Sequence, residues 1–276
     1  MSAGDTATPV VETDGARLAY TRHGSGPSVL LIPPAGSRAT IWQRHQVPAL
    51  VAAGYEVVTY DQRGLPPTGG AVGPCDVTTL STDAAALIDQ LGLGPCRVVG
   101  SSLGSLVAQE LAAARPDLVS ALVLLATRGA PDTFRAALAR GQAEELRRGA
   151  GGRLFTAAVT LSLLFAPGSL ADPGFVDEWL MALQYLTPYG EGPAAHFEAT
   201  AEYPGLKDPG AVRCPTLVVS FEHDVIMPPE LGAAIAAAVP DGTHRVLADR
   251  GHFGYVERPD LVSPLIVDFF AVGGTA

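Results

Sequence analysis

Cysteine is scarce. Three residues, Cys75, Cys96 and Cys214, stand far apart in 276 and form no CxxC pair. That argues against a cysteine-built zinc site, a redox dithiol or a disulfide framework. Positive charge is thin as well. Eighteen Lys and Arg face 28 Asp and Glu, for a formal net charge of −10. This balance disfavours nucleic acid and anionic membrane surfaces as partners, although it says nothing about the charge of any one pocket. Long apolar runs are missing too. The longest, Leu154 to Pro167, is broken by Thr156, Thr160 and Ser162 and is too short to span a bilayer. The start, MSAGDTATPVVETDG, lacks a basic segment followed by an apolar one, so no secretory signal is expected. No internal repeat or low-complexity linker occurs. The expectation is a soluble, cytoplasmic protein with free thiols, no cofactor and no metal.

What is present is core-forming material. Hydrophobic residues make up 47% of the chain and charged residues 17%, which excludes intrinsic disorder. The length suits one core domain with an inserted lobe. Short strands are expected at Pro9 to Glu12 and Arg17 to Arg22, split by Asp14-Gly15. The nearly all-apolar run Ser28 to Ile32 reads as a strand buried on both faces. Thr40 to Ala53 has helical character and stops at Gly54. Glu56 to Tyr60 is strand-like, and Ser81 to Leu91 is helical, with Ser81 and Asp83 as capping residues. Arg97 to Val99, Leu103 to Ala114 and Ala121 to Ala126 read as strand, helix, strand. This alternation predicts an α/β fold with a mainly parallel sheet flanked by helices. From 131 to 210 the pattern is helical throughout. Strands resume at Thr216 to Ser220 and near His244 to Leu247, with helices at Pro228 to Val239 and Pro259 to Phe270. Residues 1–130 and 211–276 thus form the core domain, and 131–210 a helical insert.

The most informative stretch is Gly100-Ser101-Ser102-Leu103-Gly104, a GxSxG between a strand and a helix. Small residues let strand and helix approach in a tight turn. The turn lifts the Ser102 hydroxyl to a helix N-terminus, where backbone N–H groups can stabilise an oxyanion. Ser101 is the nearest rival, and Ser105 packs or caps. A serine hydroxyl needs a base, and the base needs an orienting acid. The chain order with such an elbow is serine, acid, histidine. His252, in a Gly-flanked loop after the last strand, fits the base. Asp224, at the end of Thr216 to Phe221, fits the acid, with Glu222 as its rival.

On these residues the chain resembles the α/β-hydrolase family along nearly its whole length. The carriers are Gly100-Ser101-Ser102-Leu103-Gly104, Asp61-Gln62-Arg63-Gly64, Asp224 with Pro228 downstream, and Gly251-His252-Phe253 followed by Glu257-Arg258-Pro259. The resemblance implies that the insert caps the active site. The N–H of Leu103 is expected as one oxyanion donor, and the loop after Ser28 to Ile32 should supply the second. Many relatives carry His-Gly there; this chain has Pro33-Pro34-Ala35-Gly36. Proline has no N–H, so Ala35 is the choice and Gly36 the alternate. Asp61 and Arg63 are read as fixing their loop.

The insert's aromatics mostly build its own core. Trp179, Tyr185, His196 and Phe253 are the guesses for pocket lining. An apolar lining points to a hydrophobic small-molecule ester, thioester or lactone cleaved through an acyl-enzyme. Carbon–carbon bond hydrolysis is a variant of that reading. A non-hydrolytic reaction on the same scaffold (acyl transfer, elimination or cyclisation in specialised metabolism) and a silent binding protein are the rivals. Substrate and oligomeric state, monomer or homodimer, are not readable from the residues.

Overall fold

The computed structural model describes residues 8–66, 75–149, 153–185 and 188–272. The first seven residues, part of the stretch read for a signal, and positions 150–152 and 186–187 of the insert lie outside the described residues. Strands form where β-branched and aliphatic runs sit between turn residues: β1 (Val10–Thr13), β2 (Ala16–His23), β3 (Ser28–Ile32), β4 (Glu56–Tyr60), β5 (Cys96–Ser101), β6 (Val119–Leu125), β7 (Thr216–Phe221) and β8 (Gly242–Leu247). They make one eight-stranded sheet in the order β1-β2-β4-β3-β5-β6-β7-β8. The first three neighbours pair antiparallel and the rest pair parallel.

Side chains alternate across the sheet, as a period of two requires. Leu30, Ile32, Val98, Leu122 and Leu124 enter one core layer. Val29, Leu31, Val99, Val123 and Leu125 enter the other. On the first face lie α2 (Val77–Leu91) and α3 (Leu103–Ala114); on the second lies α1 (Gln46–Ala52). The segment expected as one helix from Thr40 is a 3-10 turn, Ala39–Trp42, followed by α1. The helix expected from Ser81 begins one turn earlier. Asp76 is its cap, accepting from Thr79 N–H at 2.7 Å. Ser81 and Asp83 are buried inside it. Neither caps the helix: Asp83 pairs instead with the buried Arg63 guanidinium at 2.6 Å.

Between β6 and β7 the chain is helical: α4 (Thr133–Arg148), α5 (Arg153–Leu164), α6 (Pro167–Leu170), α7 (Pro173–Tyr185) and α8 (Glu191–Glu202). α4 lies along α8 and α5 along α7. Arg147 of α4 joins Glu191 and Glu198 of α8 at 2.7 and 2.5 Å. Where the insert leaves and rejoins the core, buried Arg128 donates to the carbonyls of Gly129 and Thr200. The chain closes with α9 (Pro229–Ala238), the short α10 (Gly254–Glu257), which was not expected, and α11 (Pro259–Val272). None of the described helices is long and apolar enough to cross a membrane.

Candidate active site

Parallel strands end on the same edge of a sheet, and ligand chemistry collects there. Ser102 follows β5, Asp224 follows β7 and His252 lies in the loop after β8, so all three expected residues stand on this edge within four neighbouring strands.

Ser102 has φ 53° and ψ −119°. A non-glycine residue in this region costs on the order of 1–3 kcal/mol, so its surroundings must over-determine it. They do. Its N–H donates to Leu125 O at 3.0 Å, and its carbonyl accepts from Ser105 N–H at 2.9 Å and from the Ser105 hydroxyl at 2.6 Å. Ser105 therefore packs and caps, as expected, and its hydroxyl also meets Thr127 Oγ1 at 2.8 Å. The glycines of the motif are steric necessities. A Cβ on Gly100 would stand 2.1 Å from Gly104 O, and one on Gly104 would stand 2.2 Å from Ile32 O. Ser101, the rival, is the last residue of β5 and fully buried.

Asp224 and His252 are brought together. His252 Nδ1 and Asp224 Oδ2 are 2.7 Å apart, with both side chains buried. A carboxylate can only accept, so Nδ1 carries the proton and Nε2 is left as the acceptor. The other oxygen, Oδ1, accepts from the N–H groups of Ile226 and Met227 at 2.8 and 2.7 Å, which locks the carboxylate plane. Glu222 turns elsewhere and accepts from Asp249 N–H at 2.8 Å. Among the described residues no hydrogen bond joins the Ser102 hydroxyl to the imidazole. In unliganded sites such bonds are commonly long and tighten when substrate binds.

The loop after β3 runs beside the elbow, since a Cβ on Gly104 would also meet Pro33 O at 2.7 Å. Its backbone is accounted for group by group. Pro33 O accepts from Gln62 Nε2 at 3.0 Å, Gly36 N–H donates to His196 Nδ1 at 3.2 Å and Ser37 N–H donates to Pro34 O at 3.2 Å. Asp61 receives Ala39 N–H at 2.7 Å and Arg38 at 3.1 Å. Among the described residues, Ala35 N–H and Leu103 N–H have no acceptor. The Asp61-Gln62-Arg63-Gly64 turn thus works as a bracket for this loop, in keeping with the structural reading of Asp61 and Arg63. Gln62 was missed. It lay inside the motif that carries the resemblance, but an untitratable amide gave no sign of which carbonyl it would hold.

Of the four guesses for pocket lining, the structure links two. Phe253 stacks beside His252 with centroids 5.7 Å apart, and Phe165 bridges Phe253 at 6.1 Å and Trp179 at 4.8 Å. Tyr185 is 70% exposed. His196 is fully buried, with Nε2 at 2.8 Å from Arg63 O and Nδ1 taken by Gly36, so it presents no atom to a ligand. A cleft of about 720 Å³ opens beside Asp224. It lies between Phe165, Pro167, Leu170 and Ala171 of the insert and the Glu222–Val225 turn. None of the four guesses lines it. The insert is keyed to the histidine loop as well. Phe253 N–H donates to Leu164 O at 2.9 Å, and Glu257 accepts from Ala166 and Gly251 N–H at 2.8 and 2.6 Å. A Cβ on Gly251 would lie 2.6 Å from the Phe165 carbonyl carbon, which explains the glycine before the histidine. Glu222, His223 and Asp249 are the group among the described residues that could gather round a cation, with ligand atoms within 4.8 Å of one another. They are exposed and stand apart from the Asp224–His252 pair.

A serine on a strained strand-to-helix turn, and an Asp–His pair on later strand ends of the same mainly parallel sheet, define the architecture of an α/β-hydrolase. The sequence profile of the alpha/beta hydrolase family matches residues 29–265, and the chain belongs to that family. It is similar to BpoC of Mycobacterium tuberculosis, which carries the name of a non-heme bromoperoxidase: 36% identity over 260 residues, covering 92% of this chain and 97% of BpoC. The crystal structure of BpoC superposes with a TM-score of 0.85, covering 93% and 96% of the two chains. A thermophilic esterase from Thermogutta terrifontis is 29% identical, with a TM-score of 0.83 and coverage of 96% and 97%. RutD of Azorhizobium caulinodans, which carries the name of a carbamate hydrolase, is 26% identical over 268 residues, covering 95% of this chain and 97% of RutD.

Proposed function

We propose that this enzyme hydrolyses a hydrophobic small-molecule carboxylic ester, thioester or lactone through an acyl-enzyme on Ser102. The observation that carries the reading is the buried 2.7 Å bond from His252 Nδ1 to Asp224, which turns Nε2 of a fixed tautomer into a base on the strand edge that bears the strained serine. Ser102 Oγ attacks the acyl carbon as its proton passes to His252 Nε2. The imidazolium then protonates the leaving group. Water, deprotonated by the same nitrogen, attacks the acyl-enzyme, the acid departs, and the proton returns to Ser102. Asp224 stabilises the imidazolium at each stage. The N–H groups of Leu103 and Ala35 receive the oxyanion, and two such donors are worth far more in a water-poor site than in bulk water. The helical insert acts as the cap, and its Phe165–Trp179 cluster against Phe253 supplies the apolar wall that favours a hydrophobic acyl or alcohol part.

The test is turnover of a panel of aryl esters, thioesters and lactones in ¹⁸O-labelled water. Wild type should place the label in the acid product. Ser102→Ala should lose activity by about 10⁶-fold and lose labelling by a fluorophosphonate, with its circular dichroism unchanged. A wild type inert to the whole panel, or equal labelling of wild type and Ser102→Ala, would overturn the reading.

A further inference from the structure

We propose that His196, projecting from α8 of the insert, is a positioning residue for the oxyanion loop: it captures Gly36 N–H and so leaves Ala35 N–H as the loop's donor. The inference rests on the hydrolytic reading and adds to it a residue that touches neither substrate nor triad. Between Pro33 and Ser37 the two prolines have no N–H. Gly36 N–H is spent on His196 Nδ1 at 3.2 Å, and Ser37 N–H on Pro34 O at 3.2 Å. One imidazole therefore decides which amide faces the site.

The ring has no freedom to do otherwise. Arg63 O at 2.8 Å accepts from Nε2–H, which fixes the tautomer and leaves Nδ1 as a lone-pair acceptor. Arg63 is itself held by Asp83 at 2.6 and 2.7 Å. α8 is seated on the same turn by backbone contact, since a Cβ on Gly192 would stand 1.8 Å from Gly64 O. Phe197 closes over Gly36, 3.3 Å from where a Cβ would be. Gly36 has φ 64°, a conformation glycine adopts without cost, so the loop can bend there with its amide still on His196. Burial holds the imidazole neutral, as an acceptor at Nδ1 must be. The insert thus reaches past the substrate and sets the geometry of transition-state binding in the core.

Two amide isosteres separate positioning from mere packing. Asn carries its oxygen where Nδ1 stands and can accept from Gly36. Gln carries its nitrogen near Nε2 and can reach Arg63 O, but presents only its stem to Gly36. On aryl-ester turnover, corrected for folded fraction by a thermal melt, His196→Asn should keep kcat within about threefold. His196→Gln should lose kcat by about 10²-fold with KM little changed, as when an oxyanion donor is displaced. A second measurement needs no variant. In ¹⁵N-labelled wild type a trifluoromethyl ketone adduct on Ser102 should move the Ala35 amide proton strongly downfield, while the Gly36 amide keeps a through-hydrogen-bond coupling to His196 Nδ1. Equal kcat in the Gln and Asn variants, or a downfield shift at Gly36 in place of Ala35, would overturn the proposal while leaving the hydrolase reading intact. Absence of any adduct or turnover in wild type would instead remove the reading on which it rests.

Discussion

At Asp224 one carboxylate is asked to do two things. Oδ1 takes two backbone N–H groups from its own turn, and Oδ2 takes the imidazole N–H. An amide at this position keeps the shape and loses the acceptor pair. Asn can accept at one atom and must donate at the other, which favours the wrong histidine tautomer. Asp224→Asn should therefore lower kcat by about 10⁴-fold with little change in KM, measured on the best aryl ester of the panel. Glu222→Gln is the contrast. Its carboxylate serves Asp249 N–H on the surface, and the amide oxygen can replace it, so turnover should stay within about twofold of wild type. Retained activity in Asp224→Ala would move the acid role to Glu222 or elsewhere. The thiols are spectators at this scale. Burial raises Cys75 and Cys96 to about 12 and Cys214 to about 11, which keeps them protonated and unreactive at neutral pH.

At the scale of the element, the strand-to-helix joint is governed by distance. β5 and α3 meet so closely that Gly100 and Gly104 abut backbone on either side. Gly104→Ala sets two effects against each other. Alanine in a helix gains about 1 kcal/mol over glycine, whereas forcing a methyl group against Ile32 O costs on the order of 3 kcal/mol, because a backbone carbonyl in a buried strand cannot yield as a side chain would. The clash wins. Gly104→Ala should lower stability by about 2 kcal/mol, read as a fall in the urea midpoint at unchanged slope, and should reduce turnover because Leu103 N–H moves with the helix. A midpoint at or above that of wild type would show that the joint is looser than its contacts imply. The Arg63–Asp83 pair belongs to the same scale. Both side chains are at most 6% exposed, so the pair is a fixed strut under the turn that receives α8.

Over the whole molecule, core and insert are joined through buried polar contacts, and this makes their union sensitive to pH. Burial lowers His196 from 6.5 to about 4, against the pull of its bond to Arg63 O. In the unfolded chain the ring recovers its ordinary value. Between pH 6.5 and 4 the unfolded state therefore binds the extra proton and the folded state does not. Stability from this group is complete above pH 6.5 and is lost as pH falls through the folded value, by about 3 kcal/mol in all. Carboxylates titrate in the lower part of the same range, so the measurement is a difference. Urea-unfolding free energies of wild type and His196→Asn, taken from pH 7 to pH 4, should converge as pH falls. Parallel curves would show that the ring is protonated in the fold or that the insert detaches before the core unfolds.

Most of the strand ladder and the elbow were legible in the sequence because they depend on local chemistry. Aliphatic runs of five or six residues between turn residues make buried parallel strands wherever they occur. GxSxG records a steric demand at two glycines, and the two prolines at 33 and 34 remove N–H groups in any fold. Ser102, Asp224 and His252 could be named as candidates in chain order because each follows a strand. What local pattern could not reveal was where long-range partners lie. Asp83 looked like a helix cap and is half of a buried ion pair. His196 looked like a pocket residue and is bonded on both nitrogens to backbone more than 130 positions away. Gln62 and Glu257 stood in the motifs that carry the resemblance, yet nothing local disclosed the carbonyl and amides they hold. Sequence alone determined the fold class, the elbow and which amides are missing from the loop after β3, because these follow from covalent structure and short-range sterics. Tertiary structure alone decided which remaining amide is free and what holds it, because a hydrogen bond between distant segments exists only once packing has brought donor and acceptor within 3 Å or so of each other.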